Sequence, residues 1–186
     1  PLSSPPRLLP VSASLRLLGG GNAAEKTAPG VNWPIGSFNR PWSEKKDWGL
    51  DAALDGIKAA GYKIVGLLRG GPNDHRTSAD ATPEYLTGLK KRIADRGLKV
   101  NMSALRTKND LPVEDQIKDM RKQIENARFL GAEFGLTFGV DSPKFFENYY
   151  KVMHEVAGFA PEKGLKVVLK PHGGASGAAE EMDGCM

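Results

Sequence analysis

From Trp33 onward, short apolar runs alternate with longer stretches whose apolar residues recur at helical spacing. The runs Ile35–Phe38 (IGSF), Lys63–Leu68 (KIVGLL), Leu98–Met102 (LKVNM), Phe134–Val140 and a fifth with its core at Lys166–Leu169 predict five strands. A first helix is expected from a Ser43 cap to Ala60, with Leu50, Leu54 and Ile57 on one face and Gly61 ending it. Thr82 followed by Pro83 starts a second helix that runs to Arg96 and closes at Gly97. A third spans Pro112 to Leu130, taking Ile117, Met120, Ile124, Ala127 and Phe129 as its apolar positions, and Gly131 follows it. Ser142-Pro143 opens a fourth, which runs to about Glu162 and ends at Gly164.

The strands begin near residues 35, 63, 98, 134 and 166, a spacing that suits a strand plus crossover helix of roughly 30 residues. The segments AAGYKIVGL, ADRGLKVNM, LGAEFGLTF and EKGLKVVLK all place Gly between a helix end and a strand. One β/α unit is therefore used repeatedly, which implies a parallel sheet with right-handed crossovers. A (β/α) barrel and a doubly wound sheet both satisfy this pattern.

In either architecture chemistry sits at the carboxyl ends of the strands. The stretch LKVVLKPHGG, residues 165–174, is the most informative there, because an apolar run stops at Lys170, Pro171 and His172 before two glycines. The other strand ends offer Asn39, Arg40, Arg69, Asn101, Asp141 and, slightly downstream, Arg106. Basic groups around one mouth suit an anionic or polyhydroxyl ligand, Arg as a bidentate fork and Lys as a point charge. A lysine held among cations is also a candidate base or Schiff-base amine. Solvated loop charges, and turn roles for Asn39 and Asn101, remain open readings of the same residues.

His75 lies in the Gly/Pro loop GGPNDHR, where Asp74-His75 is either a general-base pair or an ordinary surface dipeptide. His154 falls within a helix and reads as structural or exposed, Tyr149-Tyr150 in the same helix read as packing, and Trp42 is either a sugar-stacking residue or a core or lid one. No phosphate loop, G-x-G-x-x-G, G-x-S-x-G or H-E-x-x-H motif occurs.

Composition narrows the function classes further. The 186 residues carry 26 basic and 22 acidic side chains, a net charge of +4, with no block of like charge, so nucleic acid is not an expected partner. Cys185 is the single cysteine, which excludes an internal disulfide and a cysteine-based metal site. No apolar run is long enough to span a membrane. Residues 1–31 are rich in Ser, Pro, Leu, Gly and Ala and lack both periodicities. They read as a disordered leader or the remnant of an export signal, leaving cytoplasmic and exported (periplasmic) locations open. Residues 32–186 form the folded portion.

The pieces IGSFNRPW (35–42), LDGIKAAGYKIVGLL (54–68), LKKRIADRGLKVN (89–101), ENARFLGAEFGLTFG (125–139) and EKGLKVVLKPHGG (162–174) occur in an order and spacing that resembles the sugar phosphate isomerase/epimerase family, the xylose isomerase-like TIM barrels. The resemblance implies a TIM barrel with its site at the top face. It further implies isomerisation or epimerisation of a small carbohydrate (a sugar, sugar phosphate or polyol), often with a divalent metal ion (Mn, Mg, Co or Zn). Under it, Lys170 and His172 are the catalytic candidates, Asn39, Arg69, Asn101 and Arg106 the substrate-binding ones, and His172 the metal ligand.

Two departures from the family stand out. A full barrel has eight strands in about 250 residues, and five are legible here, so the sequence reads as a C-terminally truncated barrel whose later metal ligands are missing. The fifth strand of such enzymes often ends Glu-Asn-His, and here Lys170 stands where the metal-binding Glu would, although a charged lysine cannot ligate. A non-catalytic carbohydrate-binding barrel and an inactive fragment are therefore the competing readings, and these 186 residues alone are expected to give no turnover. Open sheet edges would make the chain prone to form a homo-oligomer. A relative, the barrel endonuclease that repairs abasic DNA, uses many His and acidic ligands, which the three histidines here fit poorly.

Overall fold

The structure, a computed structural model, describes residues 34–43, 49–68 and 76–170. The proposed leader, Arg69, Asp74-His75 and His172 lie outside them. The elements in order are β1 Gly36–Phe38, α1 Arg40–Ser43, α2 Gly49–Ala59, β2 Ile64–Leu67, α3 Pro83–Ala94, β3 Lys99–Ala104, α4 Val113–Leu130, β4 Phe134–Thr137, α5 Phe146–Glu162 and β5 Lys166–Leu169. A 3-10 turn, Pro143–Phe145, leads into α5.

Local chemistry accounts for most of the boundaries. The Thr82 hydroxyl accepts the Tyr85 N–H at 3.2 Å and Pro83 occupies the first turn of α3. Gly131 takes φ 100° at the end of α4, and its N–H and that of Ala132 return to the last turn of the helix, an ending that favours glycine. Of the long first helix expected from Ser43, the described residues hold α1, which reaches Ser43, and α2, which starts at Gly49 with φ 65°.

The sheet is fully parallel with strand order β1-β2-β3-β4-β5. Strands that follow one another without reversal, joined by right-handed crossovers, put every helix on the same face. The core confirms this. Leu54 and Ile57 from α2, Leu86, Leu89 and Ile93 from α3, Met120 and Ile124 from α4, and Val152 and Val156 from α5 join Val65, Leu67 and Val100 of the sheet in one cluster. A doubly wound sheet would split its helices between two faces, so the described part is an arc of a TIM barrel.

Alternate residues line the opposite, concave face. Cβ atoms placed on Gly36 and Gly66 would stand 2.8 Å from Ile64 Cγ2 and 2.5 Å from the Phe38 ring, so these four residues share that face. Phe134 and Lys166, paired in register, lie there too, with the Lys166 ammonium 5.9 Å from the ring centroid.

Two expectations need correction. Strand β3 extends to Ala104 rather than ending at Met102, because its ladder with β4 continues through Met102↔Phe134, Ser103↔Gly135 and Ala104↔Leu136. Pairing with β2 jumps from Val65↔Val100 to Gly66↔Met102, which leaves Asn101 as the extra residue of a bulge. Phe129, counted among the apolar positions of α4, is 43% exposed beneath the Lys90 ammonium, and Leu130 is buried in the core.

Candidate functional site

The carboxyl ends of β1, β2, β3 and β4 enclose a cleft of about 300 Å³. Arg40 and Leu68 come from the exits of β1 and β2. Leu105, Arg106, Thr107 and Asn109 follow β3, and Thr137, Phe138, Gly139, Val140 and Asp141 end and follow β4. Asn39 sits behind this wall, fully buried. Its backbone N–H donates to the Gly66 carbonyl at 3.2 Å, and its Oδ1 accepts the Leu68 N–H at 2.7 Å. It therefore ties the exits of β1 and β2 together from inside the protein.

The loop after β3 is held from below by a buried polar stripe on α4. Arg106 N–H donates to Gln123 Oε1 at 3.0 Å, and Gln123 Nε2 donates back to the Arg106 carbonyl at 2.8 Å. The same Nε2 reaches Asp119 Oδ2 at 2.5 Å, and Asp119 Oδ1 pairs with the Lys108 ammonium at 2.7 Å. Gln116 Nε2 donates to the Leu111 carbonyl at 2.8 Å. Three positions of one loop are thus pinned by three residues on one helix face. The hydrogen bond to Asp119 raises the Lys108 pKa above the usual lysine value, against the opposing effect of burial. The segment before α3 is anchored nearby, where Asn126 Nδ2 donates to the Ser78 carbonyl at 2.7 Å and the Thr77 and Ser103 hydroxyls meet at 2.9 Å.

Lys170 continues the β5 ladder, its N–H donating to the Thr137 carbonyl at 2.9 Å. Its ammonium lies 5.9 Å from the centroid of the Phe138 ring, and Phe138 itself lines the cleft. Beneath the floor, the buried Tyr149 hydroxyl meets the Thr137 hydroxyl at 3.0 Å. Of the residues singled out from sequence, the fold brings Arg40, Arg106 and Asp141 to one cleft, with Lys170 across Phe138 from it. Asn39 is behind the cleft and Asn101 lies within β3, short of its carboxyl end. His154 is exposed on α5.

Sequence reasoning passed over Gln116, Asp119 and Gln123. The available signal was a set of polar residues at helical spacing interleaved with the apolar stripe of α4. Among the described residues, no three His, Cys, Asp or Glu side chains come together to hold a metal ion. The described part of the mouth does not by itself fit a divalent ion, since Asp141 is the one carboxylate lining the cleft. Among the described residues, no helix is long and apolar enough to cross a membrane.

The family model described as xylose isomerase-like TIM barrel matches residues 54–182. No curated protein matches the sequence. The solved structure of a D-tagatose 3-epimerase-like protein is similar with a TM-score of 0.58 at 14% identity, over 81% of this chain and 58% of that one. A xylose isomerase-like TIM barrel protein from Mycobacterium smegmatis in complex with magnesium gives 0.61 at 15% identity, over 81% and 59%. D-psicose 3-epimerase in the presence of D-fructose gives 0.54 at 11% identity, over 71% and 50%. At these identities the likeness establishes the fold. The chain spans between half and three-fifths of the length of these structures.

Proposed function

The chain belongs to the xylose isomerase-like TIM barrel family, and on that premise we propose that it serves isomerisation or epimerisation of a sugar, sugar phosphate or polyol at the carboxyl ends of its strands. The observation that carries this reading is the polar cleft at those ends, where Arg40, Arg106 and Asp141 converge from three different strand exits. Epimerisation beside a carbonyl needs a group to remove a proton and a group to stabilise the oxygen that gains charge. Lys170, beside the cleft, and His172, two residues further along the chain, are the proposed proton-handling pair. Arg106 is the proposed substrate-binding group from the β3 loop, with Arg69 beyond β2 assigned the same role. Asn39 is proposed to act through the β1 and β2 exits it ties together, and Asn101, within β3, is proposed to bind substrate. His172 is also the proposed ligand for a divalent ion (Mn, Mg, Co or Zn), and no step is assigned to that ion. Residues 1–31 are proposed to lie outside the barrel portion.

A second reading, a carbohydrate-binding barrel without catalysis, is favoured by Lys170, a cation at the strand end where this family's enzymes often carry a metal-binding carboxylate. Titrating the full chain with D-fructose and D-tagatose, with and without Mn, separates the two. Residue-resolved NMR should show saturable shifts at residues 105–109 and 138–141, and, with the barrel's later strands supplied, product analysis should show a new ketose that disappears in Lys170→Ala and His172→Ala. Saturable shifts without any product would establish the binding reading. An absence of saturable shifts would reject the cleft as a carbohydrate site.

A further inference from the structure

We propose that the cleft at the β1, β3 and β4 exits is an oxyanion seat built around Arg106, so that the ligand of this barrel carries a phosphate or carboxylate group. The inference rests on the reading of the strand ends as the substrate site and names the class of substrate. Its first support is the contrast between the two ends of Arg106. The backbone is held on both sides by the Gln123 amide, at 3.0 and 2.8 Å. The guanidinium makes no hydrogen bond or ion pair among the described residues. Arg92, Arg96, Arg121 and Arg128 each spend theirs on a carboxylate or a carbonyl. A rigidly mounted arginine with its fork left over is suited to a ligand, because the loop is ordered at folding rather than at binding.

The second support is the charge of the cleft. Among the described residues, Arg106 and Arg40 line it with one carboxylate, Asp141, and the other lining side chains are neutral. The five N–H donors of a guanidinium form a planar fork that matches a phosphate or carboxylate bidentately, a charge-assisted pairing roughly twice as strong as donation to a neutral sugar hydroxyl. The third support is the depth of the scaffold. Asp119–Lys108 at 2.7 Å and Gln116–Leu111 at 2.8 Å hold the rest of the loop, so the polar stripe of α4 is committed to placing this one strand exit. The volume, about 300 Å³, is at the small end of ligand pockets and suits a small metabolite.

Inorganic phosphate and acetate are the probes, titrated separately into the full chain and followed by residue-resolved NMR, with D-fructose as the neutral comparison. Saturable shifts at residues 105–109 and 138–141 are expected with one of the two anions, and which one saturates assigns the group as phosphate or carboxylate. Arg106→Gln, an exposed substitution, should weaken that anion about tenfold or more while the melting temperature holds. Arg106→Lys should restore part of the affinity as a point charge. Asp141→Asn should tighten the anion by removing a like charge, whereas a cleft built for neutral sugars would lose D-fructose affinity instead. Shifts that neither anion produces, or that persist unchanged in Arg106→Gln, overturn the inference. If D-fructose still shifts the same residues in that case, the substrate site stands and the anion alone is lost. If it does not, both readings fall.

Discussion

A methyl group on Gly135 would stand 2.6 Å from Leu105 Cδ1 and 2.9 Å from Leu165 Cδ2. Both leucines are fully buried, so neither can swing into solvent to make room. Gly135→Ala is expected to cost about 1–3 kcal/mol through overpacking. The check is a urea melt, with a lower midpoint at unchanged slope. An unaltered midpoint would show that the leucines repack without cost. Leu105 also lines the cleft, so the same variant reports how tightly the mouth is coupled to the core. At Gly66 the close neighbour is the Phe38 ring on the concave face, which is only half-buried and has more freedom to turn.

Helix α4 carries two kinds of burial on one element. Met120, Ile124 and Ala127 pack in the core, while Gln116, Asp119, Gln123 and Asn126 are buried as polar groups, and at least Gln123 and Asp119 face the mouth loop. The raised Lys108 pKa gives this arrangement a pH signature. A cation whose pKa is higher in the folded state contributes its full stability below the usual lysine value and loses it as the pH climbs through the raised one. The Lys108 side chain is 39% exposed, so the contribution is screened and stays below about 1 kcal/mol. Urea midpoints measured from about pH 9 to pH 12 should fall, and Asp119→Asn should lose the part of that fall due to the pair. An identical alkaline fall in the variant would show that other groups account for it.

At the scale of the whole molecule, the arc that the described residues form is open. Among the described residues, the outer edges of β1 and β5 pair with no strand. Phe38, Ile64, Met102, Phe134 and Val168 are only partly covered on the concave side, and Ile35 is 68% exposed. Unpaired backbone beside apolar surface favours association. The chain alone is expected to sediment with a mass that rises with concentration. A monomer at every concentration, with a sharp cooperative melt, would refute this.

The alternation of strands and helices, the glycine stops, the Thr82 cap and the inward face of α2 were all legible in the amino-acid sequence, because each depends on residues within a few positions of one another. The parallel α/β class followed from the repeat of those local signals, while the barrel rather than a doubly wound sheet was what the family resemblance implied. The carboxyl end of β3 did not follow. Ser103 and Ala104 interrupt the apolar run, and only pairing with Gly135 and Leu136 keeps them in the strand. That shift moves the mouth from Asn101 to the segment after Leu105. The Gln123 clamp on Arg106 joins residues 17 positions apart, and the Asn39 tie to Leu68 joins residues 29 apart. Neither contact exists until the sheet has placed its strands side by side, so the tertiary structure alone decided which charged residues at the strand ends share a cleft and which lie outside it.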